Sequence, residues 1–126
     1  MKRSVEKKET VSSKNTVSQE ETVSIVIPVY EEEESVTLLY ESIKKVMDST
    51  GRDYEVVFVD DGSRDSTFEI LEGLHKKDKK VVVVSFRRNF GQTAAMAAGI
   101  QYAVGNIIVT MDADLQNDPE DIPMLL

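Results

Sequence analysis

Val23-Ser24-Ile25-Val26-Ile27-Pro28-Val29 is a run of mostly β-branched residues, and three more apolar runs follow it: Tyr54 to Val59, Val81 to Phe86 and Asn106 to Met111. Near-continuous apolar character suits strands buried on both faces, as in a parallel sheet. The stretches between them carry helical spacing. Val36, Leu39, Ile43 and Val46 or Met47 recur at three and four, giving a helix from about Glu33 to Asp48 one buried face, and Gly51 supplies the break. Ser66 and Glu69 have capping-box spacing ahead of Ile70, Leu71 and Leu74, and the cluster from Lys76 to Lys80 closes that second helix. Gly91 to Val104 reads as a third helix, whose Ala94, Ala95, Ala97, Ala98 and Gly99 let its axis approach the sheet closely. The predicted class is α/β, a mainly parallel sheet with helices on both faces, joined by right-handed crossovers.

With 126 residues, one domain fits the length. A formal net charge of -8 disfavours a nucleic-acid binder, which holds its partner by basic patches. Residues 1–22 carry +1 and leave -9 on the rest. This opening stretch is Ser, Thr, Lys and Glu with only three Val, too little apolar area to offset its ordering entropy, and it reads as a flexible polar tail ahead of a domain spanning 23–126. It has neither the apolar core of a secretory signal nor the acid-poor composition of a transit peptide. There is no cysteine, so disulfides, thiolate metal sites and cysteine nucleophiles are excluded. No apolar run reaches the roughly 20 residues that a membrane-crossing helix needs.

Parallel strands point their carboxyl ends to one rim, where ligands of open α/β sheets bind. That rim is polar: Pro28, Tyr30 and Glu31 to Glu34 after the first strand, Asp60 to Ser63 after the second, Arg87 to Asn89 after the third, and Asp112, Asp114 and Gln116 after the fourth. In Asp112-Ala113-Asp114-Leu115-Gln116, alternation along an extended backbone sends three oxygen-bearing side chains to one side. Hard oxygen donors of this kind suit Mg2+ or Mn2+, above all when a diphosphate completes the octahedron.

The other rim residues divide between chemistry and support. Asp61 could accept hydrogen bonds from the N-H groups of a nucleobase edge, whereas Asp60 or Asp65 could simply organise the turn at Gly62. Tyr30 can present a ring to a base while Glu32 reaches a ribose or base donor, and other glutamates of the run are favourable charges at a helix N-terminus. Arg87 and Arg88, with the free amides of the turn at Gly91-Gln92-Thr93, could hold phosphate charge or pair with nearby carboxylates. His75, among lysines at a helix end, reads as exposed and without function. No P-loop is present, and no Gly-x-Gly-x-x-Gly follows the first strand.

Four segments in this order, Val23 to Glu34, Val59 to Ser66, Arg88-Asn89-Phe90-Gly91-Gln92 and Met111 to Glu120, resemble the inverting family 2 glycosyltransferases of GT-A fold, and within them the polyprenyl-phosphate glycosyltransferases related to dolichol-phosphate mannosyltransferase. The resemblance runs from Val23 to the last residue. It implies a Rossmann-like GT-A half that binds a nucleotide-diphospho-sugar (UDP- or GDP-linked), with Pro28, Val29, Tyr30, Glu32, Asp61, Arg88, Asp112 and Ala113 on the donor. Asp112, Asp114 and Gln116 would hold Mg2+ or Mn2+.

The implied reaction is transfer, with inversion, to a polyprenyl (dolichyl or undecaprenyl) phosphate at the cytoplasmic face of a membrane. The family commonly has Asn where this chain has Glu31, a change expected to be local because Glu32 is retained. Family domains continue past the helix beginning at Asp121-Ile122-Pro123-Met124-Leu125-Leu126, so the expectation is a donor half without its acceptor half, and no catalytic base is assigned. An exposed sheet edge predicts self-association. Two alternatives are a receiver-like Mg2+-binding signalling domain, whose acidic pair belongs after the first strand where this chain has Pro28-Val29-Tyr30, and a non-catalytic nucleotide-binding module.

Overall fold

A computed structural model describes residues 21–113 and 119–125. Four strands, β1 (Val23–Val29), β2 (Tyr54–Asp60), β3 (Val81–Ser85) and β4 (Ile107–Thr110), alternate with helices α1 (Val36–Thr50), α2 (Thr67–Lys77) and α3 (Gln92–Tyr102). A short 3-10 helix (Pro119–Asp121) and α4 (Ile122–Leu125) follow. The strands are all parallel and stand in the order β3-β2-β1-β4.

Alternate residues of each strand face opposite layers. Ile25, Ile27, Val56, Phe58, Val81 and Val83 pack with Tyr40, Ile43 and Met47 of α1 and Leu71 and Leu74 of α2. Their alternates Val26, Val57, Val59, Val82 and Val84 meet Ala95 and Ala103 on the other face. Burying each of these Val, Ile, Leu, Phe or Met side chains contributes roughly 1.5–3 kcal/mol. The small residues of α3 do what the sequence suggests: a Cβ added to Gly99 would stand 2.4 Å from Val26 Cγ1, so the helix axis lies as close to the sheet as its backbone allows.

Element boundaries differ from expectation where loops intervene. Helix α1 begins at Val36 rather than Glu33, because the Glu32 carbonyl accepts the amides of both Ser35 (3.0 Å) and Val36 (2.9 Å) in a tight turn. Gly51 ends that helix in the left-handed region, at φ 74°. The capping box is absent: Ser66 makes no side-chain cap, and the Asp65 carboxylate accepts the Thr67 amide (2.9 Å) instead. His75 is half-buried, not exposed, with Nδ1 donating to the Val81 carbonyl at 2.6 Å and so tying α2 to the start of β3. Thr22, counted in the tail, has its carbonyl bonded by the amides of Asn106 and Ile107, while residues 1–20 lie outside the described residues.

The chain steps from β1 through β2 to β3, then returns across the sheet to place β4 on the far side of β1. That reversal makes a crevice at the carboxyl ends of β1 and β4, the switch point where α/β sheets bind ligands. A receiver domain instead places β1 between β2 and β3. Here β1 lies between β2 and β4, which removes the receiver alternative.

Candidate functional site

Two loops build the β1 side of the crevice by holding each other. On leaving β1 the backbone turns at Glu31, the one described residue other than glycine at positive φ (54°). Its amide donates to Ser63 Oγ at 2.8 Å, and the next amide, of Glu32, donates to Thr67 Oγ1 at 2.9 Å. The Thr67 hydroxyl in turn donates to Asp65 at 2.6 Å, and the Ser63 amide to Asp60 Oδ1 at 3.1 Å. Asp60 and Asp65 therefore organise the turn. Burial pushes the Asp60 carboxyl above its ordinary pKa, against the pull of its hydrogen bonds from Ser63. Glu32 is fixed as well, because Ser35 Oγ donates to its Oε1 at 2.7 Å.

The crevice itself is an open cleft of about 170 Å3, lined by Pro28, Val29, Tyr30, Glu32, Asp61, Asp112, Ala113 and Gln92. It is smaller than the roughly 300–1,000 Å3 of a complete small-molecule site. Tyr30 is 38% exposed and offers its ring, while Asp61 is 4% exposed and enclosed. Arg88 stands apart from this lining. It lines a neighbouring groove with Phe86, Arg87, Phe90 and Ala94, its guanidinium 4.6 Å over the Phe90 ring. Two amides of the turn before α3 are already taken, since Phe90 N-H and Gly91 N-H both donate to the Asp61 carboxylate.

Gln92 is the residue that sequence reasoning did not single out by its side chain. Its Nε2 donates to Asp112 Oδ1 at 2.7 Å, joining the first turn of α3 to the end of β4. The available signal was its position, directly after Gly91 at the carboxyl rim. Asp114 and Gln116 lie outside the described residues, and among the described residues no three acidic or histidine side chains form a metal-holding cluster. The chemistry of the lining suits a hard divalent cation nonetheless: among the described residues Glu32 and Asp112 bring carboxylates to the cleft, while the Asp61 carboxylate is held by the next loop. Among the described residues no helix is long and apolar enough to cross a membrane.

Comparison with known proteins gives the family and the fold. The family model of glycosyl transferase family 2 matches residues 24–126. An undecaprenyl-phosphate 4-deoxy-4-formamido-L-arabinose transferase of Pectobacterium atrosepticum is 46% identical over 104 residues, which cover 82% of this chain and 32% of that protein. The uncharacterized glycosyltransferase YkcC of Bacillus subtilis is 50% identical over 77% of this chain and 30% of its own length. Among solved structures, S. aureus TarS in complex with UDP-GlcNAc superposes with a TM-score of 0.69 at 27% identity, over 82% of this chain and 30% of that one. The mannosyltransferase PcManGT from Pyrobaculum calidifontis, in complex with GDP-Man and Mn2+, gives 0.58 at 25% identity, over 76% and 28%. The chain thus spans about a third of the length of the curated relatives it matches.

Proposed function

Because the chain belongs to glycosyl transferase family 2, we propose that its cleft holds the nucleotide-diphosphate part of a UDP- or GDP-sugar, and that the whole protein transfers the sugar to a polyprenyl phosphate. One observation carries the donor reading. The cleft lies at the β1/β4 switch point and is lined by an exposed tyrosine ring and by the acidic residues Glu32, Asp61 and Asp112. Such a lining repels a bare diphosphate, so it suits one that arrives with a divalent cation. Tyr30 packs on the base, Glu32 reaches ribose or base donors, and Asp112 with Ala113 faces the diphosphate. Asp112, with Asp114 and Gln116, would hold Mg2+ or Mn2+, whose charge steadies the departing nucleotide diphosphate.

The acceptor is argued from proton chemistry and from the relatives. A phosphate monoester is largely ionised near neutral pH, its second pKa being about 6, so it attacks the anomeric carbon without a general base. No base needs to stand in this part of the chain, and a single displacement inverts the anomeric centre. The named Pectobacterium relative acts on undecaprenyl phosphate, which supports a lipid-phosphate acceptor and hence transfer at a membrane face.

Calorimetric titration of the chain with UDP and with GDP, each with Mn2+, tests the donor reading. Binding of one of them that EDTA abolishes is the expected result. Absence of binding to either sinks the reading, and binding indifferent to EDTA removes its cation.

A further inference from the structure

At the carboxyl end of β2, Asp61 is almost completely enclosed, and its carboxylate is occupied by the chain itself. Oδ1 accepts the Phe90 amide at 2.8 Å, and Oδ2 accepts the Gly91 amide at 3.0 Å and Asn89 Nδ2 at 3.2 Å. All these donors belong to one connection, the β3-α3 loop. A carboxylate offers about four acceptor positions, so most of its capacity is spent on that loop.

The next residue acts on the same loop by having no side chain. Gly62 sits at φ 77°, and a Cβ there would lie 2.2 Å from the carbonyl carbon of Arg88. The loop is therefore pressed against the end of β2 and tied to it by charge-assisted bonds, the stronger kind. Helix α3 begins at Gln92, immediately after the amides that Asp61 holds, and Gln92 Nε2 reaches Asp112 Oδ1 at 2.7 Å. A neutral amide suits this task. It holds one oxygen of the Asp112 carboxylate and, unlike a lysine, brings no charge of its own.

We propose that Asp61 is a positioning residue: it sets the β3-α3 loop so that Gln92 orients Asp112, coupling the β2 side of the cleft to the β4 side. The consequence for ligand binding rests on the donor reading above, whereas the linkage itself is a property of the free chain.

NMR of the 126-residue chain without ligand tests the linkage first. In Asp61→Asn the amides of Phe90 and Gly91 are expected to exchange at least about tenfold faster, and the Gln92 side-chain amide signals to move to where they lie in Asp112→Asn. Unmoved Gln92 signals overturn the proposal. Should Asp61→Asn fail to fold, Asn89→Ala decides in its place: it deletes one exposed donor and is expected to move the same signals by less, and no movement overturns the proposal equally.

The second arm is titration with Mn2+ and UDP or GDP. Asp61→Asn and Gln92→Ala are each expected to weaken binding on the order of tenfold, with the double variant no weaker than the worse single, the mark of residues acting through one path. Losses that multiply overturn the coupling. A wild-type chain that binds neither nucleotide sinks the donor reading, and the NMR result alone then decides the linkage.

Discussion

Ser24 and Glu55 stand directly opposite each other on β1 and β2, and the Ser24 hydroxyl donates to Glu55 Oε2 at 2.5 Å. Both are buried, at 0% and 7% exposure, near the amino end of the sheet and away from the cleft. The same Oε2 accepts the Val104 amide at 2.8 Å, and Ser24 Oγ accepts the Gly105 amide at 2.8 Å. These two side chains thus satisfy the backbone of the turn that carries the chain from α3 into β4.

Glu55→Ala leaves the Val104 amide and the Ser24 hydroxyl without this acceptor, and each orphaned buried group costs about 1–3 kcal/mol. The expected loss is about 2 kcal/mol or more, read as a lower urea midpoint at unchanged slope. A loss below about 0.5 kcal/mol would mean that water replaces the carboxylate freely.

Glu31 occupies left-handed backbone (φ 54°), which costs an ordinary side chain roughly 1 kcal/mol and Asn less. This gives a physical reason for the asparagine common at that place in the family. The compensating contacts of its carboxylate are slight, a long bond from the Arg64 amide at 3.4 Å and an Arg64 ion pair at 3.8 Å with the Arg64 side chain 84% exposed. Glu31→Asn is expected to stabilise the fold by about 0.5–1 kcal/mol, raising Tm by a few degrees. Glu31→Val, β-branched, is expected to lower it. The idea fails if the two variants melt in the opposite order.

Much of this was legible because the carriers of the fold are periodic. The run from Val23 to Val29 matches β1 residue for residue, and the spacing of Ile43 and Met47 names the buried face of α1. Sheet order was not readable: nothing in the β-branched runs says that β4 returns to the far side of β1, since that is decided by how α3 packs over β1 and β2. The cleft residues were legible as polar groups at strand ends. Their division of labour was not, because it depends on loop-to-loop bonds such as Asp61 to Phe90 and Gln92 to Asp112. Arg88 shows the same limit. Its position at the rim suggests the cleft, while stacking on Phe90 turns it to the next groove.

Two glycines within helices should respond oppositely to one substitution. Gly73 in α2 is exposed, and a Cβ there meets nothing within 4 Å. Gly73→Ala is therefore expected to stabilise by about 0.5–1 kcal/mol through propensity alone. At Gly99 the same methyl would lie 2.4 Å from Val26 Cγ1 and 3.0 Å from Val59 Cγ2, so α3 must lift from the sheet. Gly99→Ala is expected to cost about 1–3 kcal/mol. Denaturant titration of both variants checks the pair, and equal effects at the two sites would contradict the close approach.

Asp60 supplies a pH test. It is 1% exposed at the end of β2, and burial raises its pKa above the unfolded value of about 3.9 despite hydrogen bonds from Ser63. The native state then holds this proton more tightly than the unfolded chain does. Its favourable contribution is complete below the unfolded pKa and is lost as pH rises through the folded one, leaving an ionised buried carboxylate that opposes folding at neutral pH. Asp60→Asn retains an oxygen for the Ser63 amide and removes the charge. The variant is expected to match the wild type near pH 3 and to exceed it in stability near pH 7, with the gap opening above pH 4. Thermal melts across that range decide the point. A gap that closes with rising pH would show that the charged form of Asp60 is the one the fold prefers.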